Sequence, residues 1–170
     1  RSYQPDTVVR ITGDCPLIDA QLVDDIIAEY RLRRVDYLSN TIDPTYPDGL
    51  DTEVFSFSSL EKAAQNAENA FNREHVTPYI KASGQFNAGN YANSEDLSAE
   101  RWTVDEPEDL EVIKAVFGHF YPKTDFTWKE VMKLNNEVVH KNKTLKFCLP
   151  NKLNERRFNT FATKEPETLK

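Results

Sequence analysis

Glycine is scarce in this chain, since five of its 170 residues are glycine and none of them belongs to a phosphate-binding loop. Two common loops of that kind have the patterns GxGxxG and GxxxxGK, in which backbone N–H groups surround the phosphates. Neither pattern occurs. This absence predicts that the sequence holds no glycine-rich phosphate cradle.

Other absences exclude further classes of protein. No run reaches the roughly 18 apolar residues that a membrane-spanning helix needs, and the first residues do not resemble a signal peptide. The two cysteines, Cys15 and Cys148, are too few and too distant for a disulfide framework, so we expect a cytoplasmic protein. A net charge of −7 without a Lys/Arg block argues against a nucleic acid polymer as partner.

The residues that are present predict an α/β fold. Hydrophobic residues make up 39% of the chain, which is enough apolar mass for a folded core. Residues 7–12 are β-prone, Asp19 is placed as the N-cap of a helix that runs to about Arg34, and residues 35–40 form the next predicted strand. Strand, helix and strand in this order indicate a βαβ unit and a mostly parallel sheet.

The remaining elements are predicted from apolar spacing and turn residues. They are a strand over 51–57, a helix that begins at a capping box over 58–61, a helical segment over 73–80 that contains Pro78, an edge strand within 86–93, a β-prone run over 101–105, a helix from Pro107, a helix over 127–140 and a strand over 145–149.

Two aspartates each lie at the end of a β-prone run: Asp14 after residues 8–12 and Gly13, and Asp105 after residues 102–104. Ligands of open parallel sheets bind outside the carboxyl ends of the strands, so both carboxylates can face one crevice. Two carboxylates with room for water and phosphate oxygens suit Mg²⁺. Spacing alone also allows a structural interpretation, with Asp105 as a helix N-cap and Asp14 in a turn before Pro16.

Further polar candidates lie between these two aspartates. Asp48 and Asp51 belong to a loop that leads into a strand, where functional residues often occur. A Pro-Asp-Gly turn explains Asp48 equally well without a ligand.

A second group of candidates, Arg73, Glu74 and His75, is consecutive in sequence. Arg73 suits a carboxylate or phosphate ligand, and His75 suits proton transfer. The alternative is a solvated helix start that contains a charge pair. Cys15 is set aside as a nucleophile because the adjacent Asp14 carboxylate raises the pKa of a thiol.

Four segments occur in a fixed order: RITGDCPLID at 10–19, YPDGLDTEVF at 46–55, REHVTPYI at 73–80 and RWTVDEPEDL at 101–110. Together they resemble the cytidylyltransferase-like family of spore coat polysaccharide biosynthesis protein F. That family is related to the CMP-KDO synthetases and the acylneuraminate cytidylyltransferases.

The resemblance implies a three-layer, Rossmann-like nucleotide-diphospho-sugar transferase fold with a mostly parallel sheet. It also implies transfer of CMP from CTP to a sugar acid, with release of pyrophosphate. In the relatives, two aspartates hold the catalytic Mg²⁺, and their motif positions fall on Asp14 and Asp105. The resemblance places the loop 48–51 and the segment 73–75 on the sugar side of the site. Relatives are commonly dimeric, so a homodimer is possible.

The chain departs from the family in one respect. The family opens with a strand and a Gly/Arg/Lys-rich loop well before the Gly-Asp turn, whereas Asp14 here lies close to the first residue. We therefore expect residues 1–140 to be the C-terminal part of a nucleotidyltransferase domain, residues 141–170 to be a C-terminal tail, and this chain alone to be inactive. A Mg²⁺-dependent glycosyltransferase and a degenerate, non-catalytic assembly module remain alternatives.

Overall fold

The computed structural model describes residues 3 and 5–141 of the chain. Along these residues the elements follow in the order β1 (Thr7–Arg10), α1 (Ala20–Arg33), β2 (Tyr37–Ser39), β3 (Glu53–Ser56), α2 (Phe57–Asn66), α3 (Ala70–His75), α4 (Pro78–Ala82), β4 (Ala88–Asn90), α5 (Pro107–Phe120) and α6 (Trp128–Lys141). The α/β prediction is confirmed. The strand predicted over 145–149 lies outside the described residues.

The four strands form one sheet in the order β1-β3-β2-β4. Strand β3 is antiparallel to both β1 and β2, and β2 is parallel to β4. The predicted βαβ unit is confirmed, because β1 and β2 point in the same direction and α1 connects them. The prediction of a mostly parallel sheet is wrong, since the sheet is mixed.

The loop between β2 and β3 explains this difference. The chain leaves the carboxyl end of β2 and returns into β3 at the same edge of the sheet, so it needs no crossover helix. Strand β3 then lies between β1 and β2. A β-prone run does not specify the direction of its strand, and the apolar pattern of β3 is compatible with either.

Apolar side chains pack on both faces of the sheet, as the alternation along a strand requires. On one face, Leu38 and Val54 pack in a core with residues of α1, α5 and α6. On the other face, Tyr37 and Phe55 pack with Ala63 of α2 and residues of α4. Helices therefore cover the sheet on both sides, which confirms the three-layer architecture.

Several element boundaries agree with the sequence and two differ. Asp19 caps α1, because its Oδ1 accepts a hydrogen bond from the Leu22 N–H at 2.9 Å. Helix α2 is capped by Ser56 instead of the box predicted over 58–61. The segment 73–80 is divided between α3 and α4, and Pro78 lies in the first turn of α4, where its missing N–H is harmless.

The β-prone run over 101–105 is not a strand of the sheet. Its N–H groups bond to loop carbonyls: Trp102 N to Asp48 O at 2.7 Å and Val104 N to Asp14 O at 2.9 Å. The run therefore connects loops at the edge of the sheet. Across the described residues, no helix is long and apolar enough to cross a membrane.

Candidate functional site

The predicted site residues gather at one edge of the sheet. Strands β1 and β2 end at this edge and β3 begins there, since Arg10 and Ser39 both pair with Glu53 in the strand register. Asp14 lies just beyond β1 in a turn closed by a bond from Cys15 N to Thr12 O at 3.3 Å. The carboxyl ends of parallel strands are the usual ligand-binding edge of such sheets.

Backbone hydrogen bonds hold three loops together at this edge. Val104 N donates to Asp14 O at 2.9 Å, which places the residue before Asp105 against the Asp14 turn. Asp48 N donates to Glu100 O at 2.9 Å, and Asp48 pairs with Arg101 in a parallel bridge. The segments that contain Asp14, Asp48 and Asp105 are therefore direct neighbours, although they are far apart in sequence.

Gly49 permits the close approach of two of these loops. Its φ is +110°, a conformation that disfavours side chains. A Cβ atom at this position would lie 2.8 Å from the carbonyl carbon of Trp102 and 2.9 Å from the nitrogen of Thr103. Both are backbone atoms, so no side-chain rotation can relieve the contact.

Cys15 follows Asp14 in the turn, and its thiol is buried. Burial, together with the charges of Asp51 and Asp14, raises the pKa of Cys15 to about 12, although the hydrogen bond with the Thr12 hydroxyl lowers it in part. The thiol thus stays protonated and donates to Asp14 Oδ1 at 3.6 Å. The raised pKa agrees with the prediction that Cys15 is unsuited as a nucleophile.

Asp105 is held by an arginine instead of capping a helix. Arg101 Nη2 donates to Asp105 Oδ2 at 2.7 Å, and the hydroxyl of Thr103 lies 3.4 Å from the same oxygen. The N-cap of α5 is Glu106, and Asp109 Oδ2 accepts from the N–H groups of Asp105 and Glu106 at 2.9 Å each. The interpretation of Asp105 as the helix N-cap is therefore wrong.

Arg101 and Asp109 form a buried ion pair that supports the Asp105 side chain. Arg101 contacts Asp109 through two bonds, at 2.5 Å to Oδ1 and 2.9 Å to Oδ2. Burial opposes the Asp109 charge, but the Arg101 guanidinium and two backbone N–H groups outweigh it and lower the pKa of this carboxyl. The Asp105 side chain is bonded to this ion pair through Arg101, and 42% of it is exposed to solvent.

Two carboxylates at this edge are of the donor type that Mg²⁺ prefers. Asp14 is half-buried and Asp105 is exposed, and both carboxylates are hard oxygen donors. Among the described residues, no group of three or more His, Cys, Asp or Glu side chains is arranged to hold a metal ion. Two carboxylates would leave most coordination positions to water or phosphate oxygens, which is how Mg²⁺ is usually bound.

A second charged cluster surrounds Glu53 at the start of β3. Glu53 is buried, with 4% of its surface exposed. It accepts hydrogen bonds from Tyr37 Oη at 2.8 Å, Thr77 Oγ1 at 2.9 Å and Arg10 Nη1 at 2.9 Å, and Lys81 Nζ lies 2.8 Å from its Oε1. Burial opposes the charge of Glu53, but Lys81 and the other donors outweigh it and lower the pKa of this carboxyl.

The segment 73–75 lies on α3, where Arg73, Glu74 and His75 are all exposed. The His75 ring packs on Phe71 with centroids 4.6 Å apart. The next residue, Val76, has a φ of +70° within a tight turn in which Thr77 N donates to His75 O at 2.8 Å. Since Thr77 bonds to Glu53, this turn fixes the end of α3 near the same edge of the sheet.

Sequence reasoning missed four charged residues that organise the site: Arg10, Glu53, Arg101 and Asp109. All four lie within the motif segments. The sequence did indicate that such residues need partners, because a charged residue inside an apolar strand or beside a buried tryptophan is costly without one. The partners themselves could not be deduced, since each pair joins different elements or spans a turn.

Comparisons with known proteins agree with this geometry. A family model described as cytidylyltransferase matches residues 1–145. The chain is 39% identical over 122 residues to an uncharacterized protein of Methanocaldococcus jannaschii, a match that covers 69% of this chain and 49% of that protein. It is 29% identical over 149 residues to the spore coat polysaccharide biosynthesis protein SpsF of Bacillus subtilis, covering 79% of this chain and 57% of that protein.

A solved structure is similar as well. The cytidylyltransferase from Leptospira borgpetersenii serovar Hardjo-bovis superposes with a TM-score of 0.70 at 33% identity. The match covers 81% of this chain and 60% of that one. The chain therefore spans about half to three-fifths of the length of the proteins it matches.

Proposed function

Because this chain belongs to the cytidylyltransferase family, we propose that it carries the metal-binding and sugar-binding side of a Mg²⁺-dependent site that transfers CMP from CTP to a sugar acid. The bond from Val104 N to Asp14 O, at 2.9 Å, is the observation that supports this most directly. It joins the two segments whose aspartates, Asp14 and Asp105, we propose as the metal ligands. The name of the Bacillus subtilis relative leads us to propose that the activated sugar serves polysaccharide synthesis.

Asp14 and Asp105 would hold the ion in this proposal. Bound Mg²⁺ would supply neutralisation of the charge that develops on the phosphate oxygens. Both described hydrogen bonds to the Asp105 carboxylate reach Oδ2, and Arg101 makes the shorter one. The arginine thereby orients the carboxylate. The Cys15 thiol donates a weak hydrogen bond to Asp14 Oδ1 at 3.6 Å, on the buried side of that carboxylate.

The reaction that these residues would serve is an in-line displacement. A hydroxyl of the sugar acid attacks the α-phosphorus of CTP and releases its proton to solvent. The bond between the α-phosphorus and the oxygen that bridges to the β-phosphate breaks, and pyrophosphate leaves. The chain would contribute by orientation and electrostatic stabilisation, which are the main sources of catalysis in such transfers. Asp48, Asp51, Arg73, Glu74 and His75 are proposed to contact the sugar acid.

The experiment measures pyrophosphate release from CTP and a panel of sugar acids, with the full reading frame that encodes this chain. We expect Asp14→Asn and Asp105→Asn each to lower kcat by about 100-fold or more, the usual cost of removing a group that stabilises transition-state charge. Asp24→Asn, at an exposed position on α1, is the matched control and should leave kcat unchanged.

Three results would contradict the proposal. Full activity in both Asp14→Asn and Asp105→Asn would remove the metal role of these carboxylates. Release of a nucleoside diphosphate from a nucleotide sugar, without pyrophosphate release from CTP, would favour the glycosyltransferase alternative. Absence of both reactions would favour the assembly module.

A further inference from the structure

Two cations converge on the single carboxylate of Glu53. Arg10 Nη1 lies 2.9 Å from its Oε2, and Lys81 Nζ lies 2.8 Å from its Oε1. The carboxylate is buried, whereas the Arg10 and Lys81 side chains are 31% and 33% exposed. Arg10, Lys81 and Glu53 together carry a formal charge of +1, and the two partly exposed side chains are the positive ones.

Stabilisation of Glu53 does not require both cations. The hydroxyl groups of Tyr37 and Thr77 already donate to this carboxylate at 2.8 and 2.9 Å. One cation would then balance its charge. A second cation in the same cluster adds like-charge repulsion, which a bound anion would offset.

The cluster lies beside the proposed metal site. Arg10 is the last residue of β1 and Glu53 is the first residue of β3, and they face each other in the register. Lys81 Nζ also lies 3.4 Å from Thr41 Oγ1, just beyond the end of β2. The two cations are therefore at the same edge of the sheet as Asp14, on the side where Thr77 fixes the end of α3.

The chemistry of the two side chains suits an anionic oxygen group. The guanidinium of arginine carries five N–H donors and the ammonium of lysine carries three. In the described part of the chain, one Arg10 donor is bonded to Glu53. Arginine binds carboxylates and phosphates through paired N–H groups, and lysine binds them as a compact positive charge.

We propose that Arg10 and Lys81 bind the carboxylate of the sugar acid, and that Glu53 is a positioning residue that holds the two cations in place. This inference rests on the proposed function, because it assigns the recognition of its acceptor substrate. A neutral sugar of the same shape would bring no negative charge to this pair of cations, which share the single carboxylate of Glu53. The cluster would thereby select acidic sugars over neutral ones.

The test compares sugar acids with their methyl esters, which keep the shape and remove the charge. Binding of N-acetylneuraminate, 3-deoxy-D-manno-octulosonate and glucuronate, and of each ester, is measured by calorimetry with the same full-length protein. We expect at least one acid to bind about tenfold more tightly than its ester, as the loss of a charge-assisted hydrogen bond implies. If no acid binds more tightly than its ester, the inference is wrong.

Two substitutions assign the preference to the cluster. Lys81→Met and Arg10→Gln should each reduce the ratio of acid affinity to ester affinity toward one, without changing the affinity for the ester. Each variant retains one cation on Glu53, so the fold should persist, and circular dichroism checks this. Lys114→Met, at an exposed lysine of α5 paired with Glu111, and Arg31→Gln, at an exposed position on α1, are the matched controls.

Affinity for CTP with Mg²⁺ separates the two possible sources of the anion. If Lys81→Met and Arg10→Gln weaken CTP binding and leave the acid-to-ester ratio unchanged, the cations serve the nucleotide phosphates and the inference is overturned. Failure of the proposed transfer reaction is a different result. It would appear as no release of pyrophosphate from CTP with any sugar acid, and it would leave an observed carboxylate preference at Arg10 and Lys81 intact.

Discussion

Replacing Gly49 with alanine should destabilise the protein more than any other glycine-to-alanine change discussed below. The φ of +110° costs an alanine about 1–2 kcal/mol. The new Cβ would also lie 2.8 Å from the Trp102 carbonyl carbon and 2.9 Å from the Thr103 nitrogen. Forcing these two backbones apart adds about 1–3 kcal/mol, as in other overpacked sites. The expected loss is therefore about 2–5 kcal/mol.

Two other glycines separate these contributions. Gly84 has a φ of +68° and open space around the added Cβ, so Gly84→Ala should show the backbone cost alone, about 1 kcal/mol. Gly118 lies inside α5 with nothing within 4 Å of the added Cβ. Gly118→Ala should stabilise the protein by about 0.5–1 kcal/mol, because alanine favours the helix.

Urea unfolding followed by tryptophan fluorescence measures all three free energies of unfolding, since Trp102 is buried beside Gly49. The decisive quantity is the difference between Gly49→Ala and Gly84→Ala. A loss in Gly49→Ala no greater than the loss in Gly84→Ala would refute the close approach of the loops 46–51 and 100–105.

Three further predictions concern the buried charges and the strained turn. Arg101→Met should lower the free energy of unfolding by about 3 kcal/mol, because it leaves the buried Asp109 without its cation; a loss below about 1 kcal/mol in urea unfolding would contradict this. The folded pKa of Glu53 is below its usual value of 4.5, so the stability it contributes is present above that pH and is lost as the pH falls through the lowered pKa. Glu53→Gln should remove this part of the acid dependence, and identical pH profiles of stability would contradict the network around Glu53. Val76→Gly should stabilise the protein by about 1 kcal/mol, because glycine relieves a φ of +70° that a β-branched residue disfavours; a destabilised variant in the same assay would show that the turn is unstrained.

Local signals in the sequence predicted much of the fold. The apolar spacing of α1, α5 and α6 and the N-cap Asp19 specified these helices, because such features depend on neighbours within one turn. The direction of β3 was not predictable in the same way. It depends on the path of the loop between β2 and β3, and the mixed sheet follows from that path.

In the site, too, residues marked by their neighbours in sequence were predictable, whereas contacts between distant elements were not. Asp14 and Asp105 stand out in sequence because each follows a β-prone run, and the structure brings their segments into contact through Val104. The role of Arg101 was hidden, since its contacts arise from the turn into α5. Lys81 was hidden for another reason: its partner Glu53 lies on a different element, and only the folded chain unites them.

The most direct test of the proposed metal site is backbone amide NMR of this chain titrated with Mn²⁺ in the presence of CTP, because this paramagnetic ion broadens the signals of nearby nuclei. We predict selective loss of signals from residues 13–15 and 103–106, abolished in Asp14→Asn and in Asp105→Asn and retained in the control Asp24→Asn. Broadening confined to other parts of the chain, or unchanged in both aspartate variants, would contradict a shared site at Asp14 and Asp105.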